Sequence, residues 1–370
     1  MKFSVENKDL IKALSIVSRA IGIKNTMSVL ECVYISARND KLTLKASDTE
    51  ISIITFVEAS VTDEGETLLP FKTMFELIRT YPNERVYFNI DDMSFATTIT
   101  CSQSEVNILA QNPLDYPVFE AVEASELIKL GNDEFKDVIR ETVFACAPQL
   151  SINPILSGVN VEIGDNELVF TALDGYKMAL RRITAQTSGE SGKSAIVPGR
   201  TLSEILKISS FYTEDIYFAI TSNRFVLNVG ETQIMSILLE GPYINYKTLI
   251  PSEINTMVKA NKAELLMSLE RAGLISDSSK NSIVKLNITD DNMNISSSSD
   301  RGKIVEDVLV GKTGDDLKIA FNVRFLADVI KNIRDDKIIL EYKDSVGPCL
   351  IKPVDSERFL YLIMPVRYTD

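Results

Sequence analysis

Histidine is absent from the 370 residues, and with it go the commonest general base, the usual member of a nucleophilic triad and the commonest metal ligand. Hydrolytic and metal-dependent chemistry lose their ordinary means. Cysteine is sparse: Cys32, Cys101, Cys146 and Cys349 are scattered without a CxxC pair, which reads as reduced, buried thiols of a cytosolic protein. No apolar run of about 18 residues occurs, and the opening MKFSVENKDL has no apolar signal core. A cytoplasmic chain without metal or cofactor is expected.

What is present fits a folded, multi-domain chain. Hydrophobic residues make up 45% and charged residues 25%, an ordinary globular balance, and the length suggests two or three domains. The formal net charge of -13 argues against loose adhesion to nucleic acid over the whole surface, but not against a local cationic face.

One eight-residue phrase occurs three times: KTMFELIR at Lys72 to Arg79, RTLSEILK at Arg200 to Lys207, and RFLADVIK at Arg324 to Lys331. Each reads basic, any, apolar, any, acidic, apolar, apolar, basic. On a helix turning about 100° per residue the two basic residues return to one direction and the apolar ones oppose them. Singly, such a phrase is a common surface helix. Three copies in one local context indicate a repeated unit.

The surrounding order repeats with it. Each third has an amphipathic helix (about Lys8 to Ile21, Asp133 to Ala147 and Ala263 to Ser276), two alternating stretches with a turn at Asp48, Asp174 or Asp300, the phrase, and further strands. Those aspartates are spaced by about 126 residues, a domain-sized repeat. The reading is α+β with antiparallel sheets, two helices and about eight short strands per domain, over 1–122, 123–249 and 250–370. The polar helical stripes carry Lys12, Arg19, Lys72, Arg79, Lys136, Arg140, Arg200, Lys207, Arg271, Arg324, Lys331 and Arg334. The matching partner for such a positive trough is the backbone of double-stranded DNA, contacted without regard to sequence. Glu76, Glu204 and Asp328 lie near this face and weaken the contact.

At this point the chain resembles the β subunit of bacterial DNA polymerase III, a processivity sliding clamp. The matching segments are MKFSVE, NPILSGV at Asn153 to Val159, ALDGYKMAL at Ala172 to Leu180, PGRTLSEI at Pro198 to Ile205, LLEGPYINYKTLIP at Leu238 to Pro251, FNVRFLADVI at Phe321 to Ile330, and YLIMPVRY. The resemblance implies three repeated clamp domains forming a half-ring that closes as a homodimer around DNA, helices lining the hole. Its edges would pair the first domain with the partner's third, through Val106 and Ile108 on one side and Leu274 and Ile275 on the other.

It also implies an apolar pocket for short peptides of the replicative polymerase α subunit, the clamp loader complex, and other polymerases and repair proteins. That pocket would be lined by Leu156, Leu173, Gly175, Tyr176, Lys177, Met178, Ile244, Thr248, Leu249, Leu362, Ile363, Met364, Pro365, Val366 and Arg367. Leu173, Tyr176 and Thr248 depart from the frequent Thr, His and basic residue, which bears on peptide preference. Lys24 and Gln149, the latter with Pro154 and Ile155, match loop positions that face DNA.

A competing reading is a nucleotide-binding enzyme using the loop Gly189 to Ser194 within TSGESGKS. The phosphate-binding pattern needs Gly where Thr187 stands and a helix after Lys193-Ser194, whereas AIVP follows. The carboxylates form no clustered set of the two-metal kind. A scaffold that never meets DNA would differ in showing no retention on circular duplex.

Overall fold

The computed structural model describes residues 1–22, 27–117, 119–122, 127–149, 151–187, 191–276, 282–354 and 356–368. The first third gives β1 (Lys2–Glu6), α1 (Asn7–Val17), β2 (Cys32–Arg38), β3 (Lys41–Ser47), β4 (Ile51–Glu58), β5 (Ser60–Asp63), β6 (Gly65–Pro70), α2 (Phe71–Thr80), β7 (Arg85–Ile90), β8 (Ala96–Cys101) and β9 (Ser104–Leu109). The middle gives β10 (Ile128–Leu130), α3 (Asn132–Thr142), β11 (Gly158–Ile163), β12 (Glu167–Leu173), β13 (Lys177–Thr184), β14 (Ser194–Pro198), α4 (Gly199–Ser209), β15 (Ile216–Ile220), β16 (Arg224–Val229) and β17 (Thr232–Ile237). The last gives β18 (Thr256–Asn261), α5 (Lys262–Ile275), β19 (Ile283–Thr289), β20 (Asn292–Ser299), β21 (Gly302–Gly314), β22 (Leu317–Asn322), α6 (Val323–Lys331), β23 (Lys337–Tyr342), β24 (Cys349–Pro353) and β25 (Phe359–Ile363).

All three phrases are helical for the reason their spacing gives. Phe71, Met74 and Ile78 of α2, Leu202, Ile205 and Ile208 of α4, and Val323, Leu326, Val329 and Ile330 of α6 are buried at intervals of three and four. Asn322 starts α6 by accepting hydrogen bonds from the Arg324 and Phe325 N–H groups at 3.0 and 3.4 Å. The first residue of α1 and of α3 ties the two helices of its repeat together. Asn7 Nδ2 donates to the Tyr81 and Pro82 carbonyls (3.1 and 2.9 Å), and Asn132 Nδ2 to those of Ser209 and Tyr212 (3.3 and 2.8 Å). Lys262 holds the equivalent place in α5, and among the described residues it keeps only a backbone bond, its N–H donating to Asp336 O at 2.9 Å.

The strands make the same four-stranded patterns in each third. One is β6-β2-β3-β4, β14-β11-β12-β13 and β22-β19-β20-β21; the other is β1-β7-β8-β9, β10-β15-β16-β17 and β18-β23-β24-β25. All pairings are antiparallel. The chain leaving each second pattern returns to the outer strand of the first. Gln111 N donates to Leu68 O at 2.8 Å, Leu239 N to Ile196 O at 2.9 Å, and Val366 N to Ala320 O at 2.8 Å.

Two compact units result, Met1–Phe135 with Arg200–Leu238, and Lys136–Gly199 with Leu239–Asp370. In the first, β4 pairs with β17 and fuses two patterns into an eight-stranded sheet, beside a five-stranded sheet ending in β9. In the second, β13 pairs with β25 within a twelve-stranded sheet. Each junction therefore joins the middle repeat to a neighbour.

Three details differ from the sequence reading. Strands β5, β10 and β18 do not stand out as alternating runs, being short or mixed in polarity, and are set by their pairing partners. The turns at Asp48 and Asp174 are alike, but Asp300 and Arg301 alone connect Ser299 to Gly302. Cys146 is half-buried while Cys32, Cys101 and Cys349 are buried.

Candidate functional site

In the second unit the β12 to β13 hairpin is fixed by Asp174. Its Oδ1 accepts from the Tyr176 and Lys177 N–H groups, both at 2.9 Å, and its Oδ2 accepts from Lys177 Nζ at 2.6 Å. Gly175 turns the chain at φ +93°, a conformation that side chains with a Cβ rarely adopt. Met364 N donates to Tyr176 O at 2.8 Å, which holds the end of β25 against the hairpin.

Leu173, Met178 and Leu362 form a buried floor with Val169, Leu180, Tyr246 and Leu350, and Leu156, Tyr243 and Ile250 pack against it. Around the floor stand Tyr176 at 60% exposure and Ile244, Leu249 and Met364 at 40% each. Thr248 and Arg367 are exposed, and Pro365 and Val366 are half-buried. Ile363 is buried and alternates with Leu362 along β25, so its side chain lies on the opposite face of the sheet. Lys177 is committed to Asp174 and sits 4.9 Å from the Phe325 ring centroid. Phe325 also packs on Tyr176, at 5.3 Å between centroids, and no local pattern marked it as a neighbour of this patch.

The basic residues divide by what they touch. Arg200 donates to Asp48 and, at 3.0 Å, to Glu50. Glu204 holds Lys207 at 2.8 Å and Arg19 at 3.8 Å; Asp137 holds Arg334 at 2.5 Å and Arg140 at 3.4 Å; Glu306 holds Arg271 at 2.6 Å. Lys12 lies 4.4 Å from the Tyr212 ring centroid and Arg79 lies 5.6 Å from that of Phe75. Among the described residues Lys72, Arg324 and Lys331 are exposed and have no ion-pair partner. The helical cations thus stand as a few uncommitted ones among ion pairs, some of whose acidic partners, Asp48 in the β3 to β4 turn and Glu306 on β21, are far away in sequence. Lys136 is half-buried, Gln149 and Pro154 are exposed, and Ile155 is half-buried. Lys24 lies outside the described residues, as does Gly189. Ser194–Pro198 is strand β14, so no helix follows the Lys-Ser pair.

Two strand edges carry apolar side chains. On β9, Val106 and Ile108 are half-buried and Leu109 is 68% exposed. On β21, Val305 and Leu309 are 51% and 79% exposed; on α5, Leu274 is exposed and Ile275 half-buried. Sequence reading missed Leu109, Val305 and Leu309, because each sits beside another apolar residue (Ile108, Ile304, Val308) and no local pattern tells which of the pair faces outward. Among the described residues no group of three or more His, Cys, Asp or Glu side chains could hold a metal ion, and no helix is long and apolar enough to cross a membrane.

Comparison with known proteins follows the same three parts. Residues 1–120, 129–245 and 247–367 match the N-terminal, central and C-terminal domains of the DNA polymerase III beta subunit. The beta sliding clamp of Staphylococcus epidermidis is 31% identical over 377 residues, covering 99% of each chain. Among solved structures, a putative DNA polymerase III beta subunit from Eubacterium rectale superimposes with TM-score 0.94 at 34% identity, and the sliding clamp of Bacillus subtilis with TM-score 0.96 at 27% identity, each over 100% of both chains. With three clamp domains in order and full-length relatives, the chain belongs to the DNA polymerase III beta subunit family, the bacterial sliding clamps.

Proposed function

We propose that this chain is a DNA sliding clamp. Two copies close head to tail into a ring around duplex DNA, and the apolar patch on the second unit holds short peptides of the replicative polymerase, the clamp loader and other DNA-processing partners. The observation that carries this is a junction used twice and left half-made twice. Ile53 of β4 stands opposite Ile234 of β17, and Ala179 of β13 opposite Tyr361 of β25. Of the equivalent strands, β9 has its outer edge unpaired and β21 pairs only with β20 over Gly302–Leu309, among the described residues. Unpaired apolar edges invite a partner strand. By the same register Ile304 of one copy meets Val106 of its partner.

Lys12, Lys72, Arg79, Arg324 and Lys331 supply weak backbone contact to DNA, and Gln149 adds to it. The ion-paired cations hold the helices in place. Closure then gives retention by topology and leaves sliding free. The same reading assigns the chain no catalysis of its own, and the cytoplasm as its compartment.

The test is mass and register together. Light scattering should give twice the chain mass of 41.2 kDa. Val106→Cys with Ile304→Cys should yield a covalent dimer on oxidation, while Ile108→Cys with Ile304→Cys should not. A stable monomer at micromolar concentration refutes the ring.

A further inference from the structure

The β4 to β17 junction of the first unit repeats the backbone of the docking patch but not its side chains. Asp48 Oδ1 accepts from the Glu50 and Ile51 N–H groups at 3.0 and 2.8 Å, as Asp174 does for Tyr176 and Lys177. Ile237 N donates to Glu50 O at 3.0 Å, as Met364 N does to Tyr176 O. Ser47 and Ser52 are cross-strand partners where Leu173 and Met178 stand in the second unit, and Met235 takes the place of Leu362. Beneath lies the matching cluster of Ile54, Val226 and Met235, with Phe119 against it.

A cavity of about 160 Å³ opens at this place, walled by Phe119, Met235 and Ile237 and floored by Ser47 and Ser52, whose hydroxyls share a hydrogen bond of 2.8 Å. A volume near 150 Å³ accommodates a group the size of benzene, so one apolar side chain fits. Arg224 also lines the cavity, half-buried, and has no carboxylate partner among the described residues. A guanidinium in that setting is matched by a carboxylate through paired hydrogen bonds. Glu50 on the same wall is held by Arg200 and disfavours a dianion, which selects a singly charged group.

We propose that this junction is a second peptide subsite, taking a segment that places an Asp or Glu beside an apolar residue. The inference rests on the docking reading only for its analogy, since the cavity and Arg224 stand in their own right. It predicts two sites of different chemistry on one chain, one with an apolar floor and one acid-selective.

The experiment uses the full chain with ¹³C-methyl methionine and isoleucine. Acetyl-Asp-Leu amide should move the Met235 and Ile237 methyl signals to saturation. A Gln-Leu-Ser-Leu-Phe peptide should move those of Met178 and Met364. Arg224→Gln, or Asn for Asp in the first peptide, should weaken the first site about tenfold, the scale of a lost charge-assisted pair, and leave the second unchanged. Arg224→Lys should retain part of the binding. Met235 and Ile237 signals that stay still up to the solubility limit of acetyl-Asp-Leu amide overturn the subsite, as does equal affinity for the Asn peptide. Movement there with Met178 and Met364 unmoved by the second peptide upholds this inference and removes the docking patch instead.

Discussion

Arg200 shows why a charge read from spacing needs its partners. As the first basic residue of a repeated phrase it is one of a set with Lys72 and Arg324. In the fold it closes on Asp48, whose side chain is 4% exposed, and on Glu50. Removing it leaves a buried carboxylate without its counter-charge, so Arg200→Ala should cost about 1–2 kcal/mol in urea unfolding, the low end of a charged hydrogen bond because Arg200 is itself 36% exposed. Lys331→Ala should change stability within about 0.5 kcal/mol. Equal costs would mean that Arg200 does not hold its hairpin.

The cysteines give a second check at this scale. Burial pushes Cys32 up to about 11 and Cys146 up to about 12, and raises Cys101 and Cys349 as well. The thiolate is the reactive form. At pH 8 the native protein should therefore react with none of its four thiols in a DTNB assay, and with all four once unfolded. A fast native thiol would show that one of these pockets opens readily.

Among elements, β21 differs most from its equivalents. Glu306 on it is held below the usual carboxylate range, chiefly by its hydrogen bonds from Arg271 on α5. A carboxyl depressed in the folded state stabilises above its ordinary value of 4.5, and that contribution is lost as pH falls through the lower, folded value. Glu306→Gln should be less stable than wild type at pH 7, and the gap should close as the pH drops below 4.5. A gap constant with pH would assign the loss to packing alone.

Elements were also where the sequence was most and least legible. The phrases around Met74, Leu202 and Leu326 declared their helices because a one-sided burial pattern has few other solutions. Strands such as β3, with Leu42, Leu44 and Ala46 all buried, declared themselves by alternation. By contrast Ile128–Leu130 is three residues long and acquires its state from β15, which nothing local encodes. The patch was legible through segments such as ALDGYKMAL and LIMPV, yet Phe325 was not. Its place beside Tyr176 depends on where α6 packs, a tertiary fact.

For the whole molecule, the net charge of -13 makes the few uncommitted cations decisive. Lys72→Glu, Arg324→Glu and Lys331→Glu together should leave folding and dimer mass unchanged, since none of these side chains has an ion pair to lose among the described residues. Retention on nicked circular DNA should fall several-fold and depend less steeply on salt, since that slope reports the number of phosphates neutralised. Retention equal to wild type would make these helix faces incidental. Arg200 is better left out of such a set, because reversing it places two like charges against Asp48.

One strand belongs to two neighbours in succession. Gly302–Leu309 pairs with β20, whereas residues 310–314 pair with β18. Alternate N–H groups of the earlier stretch point away from β20 and have no strand partner among the described residues until another copy arrives. Deuterium uptake along this single strand should then be split: dilution speeds labelling before Val310 and leaves the remainder slow, so opening the assembly need not loosen the protomer.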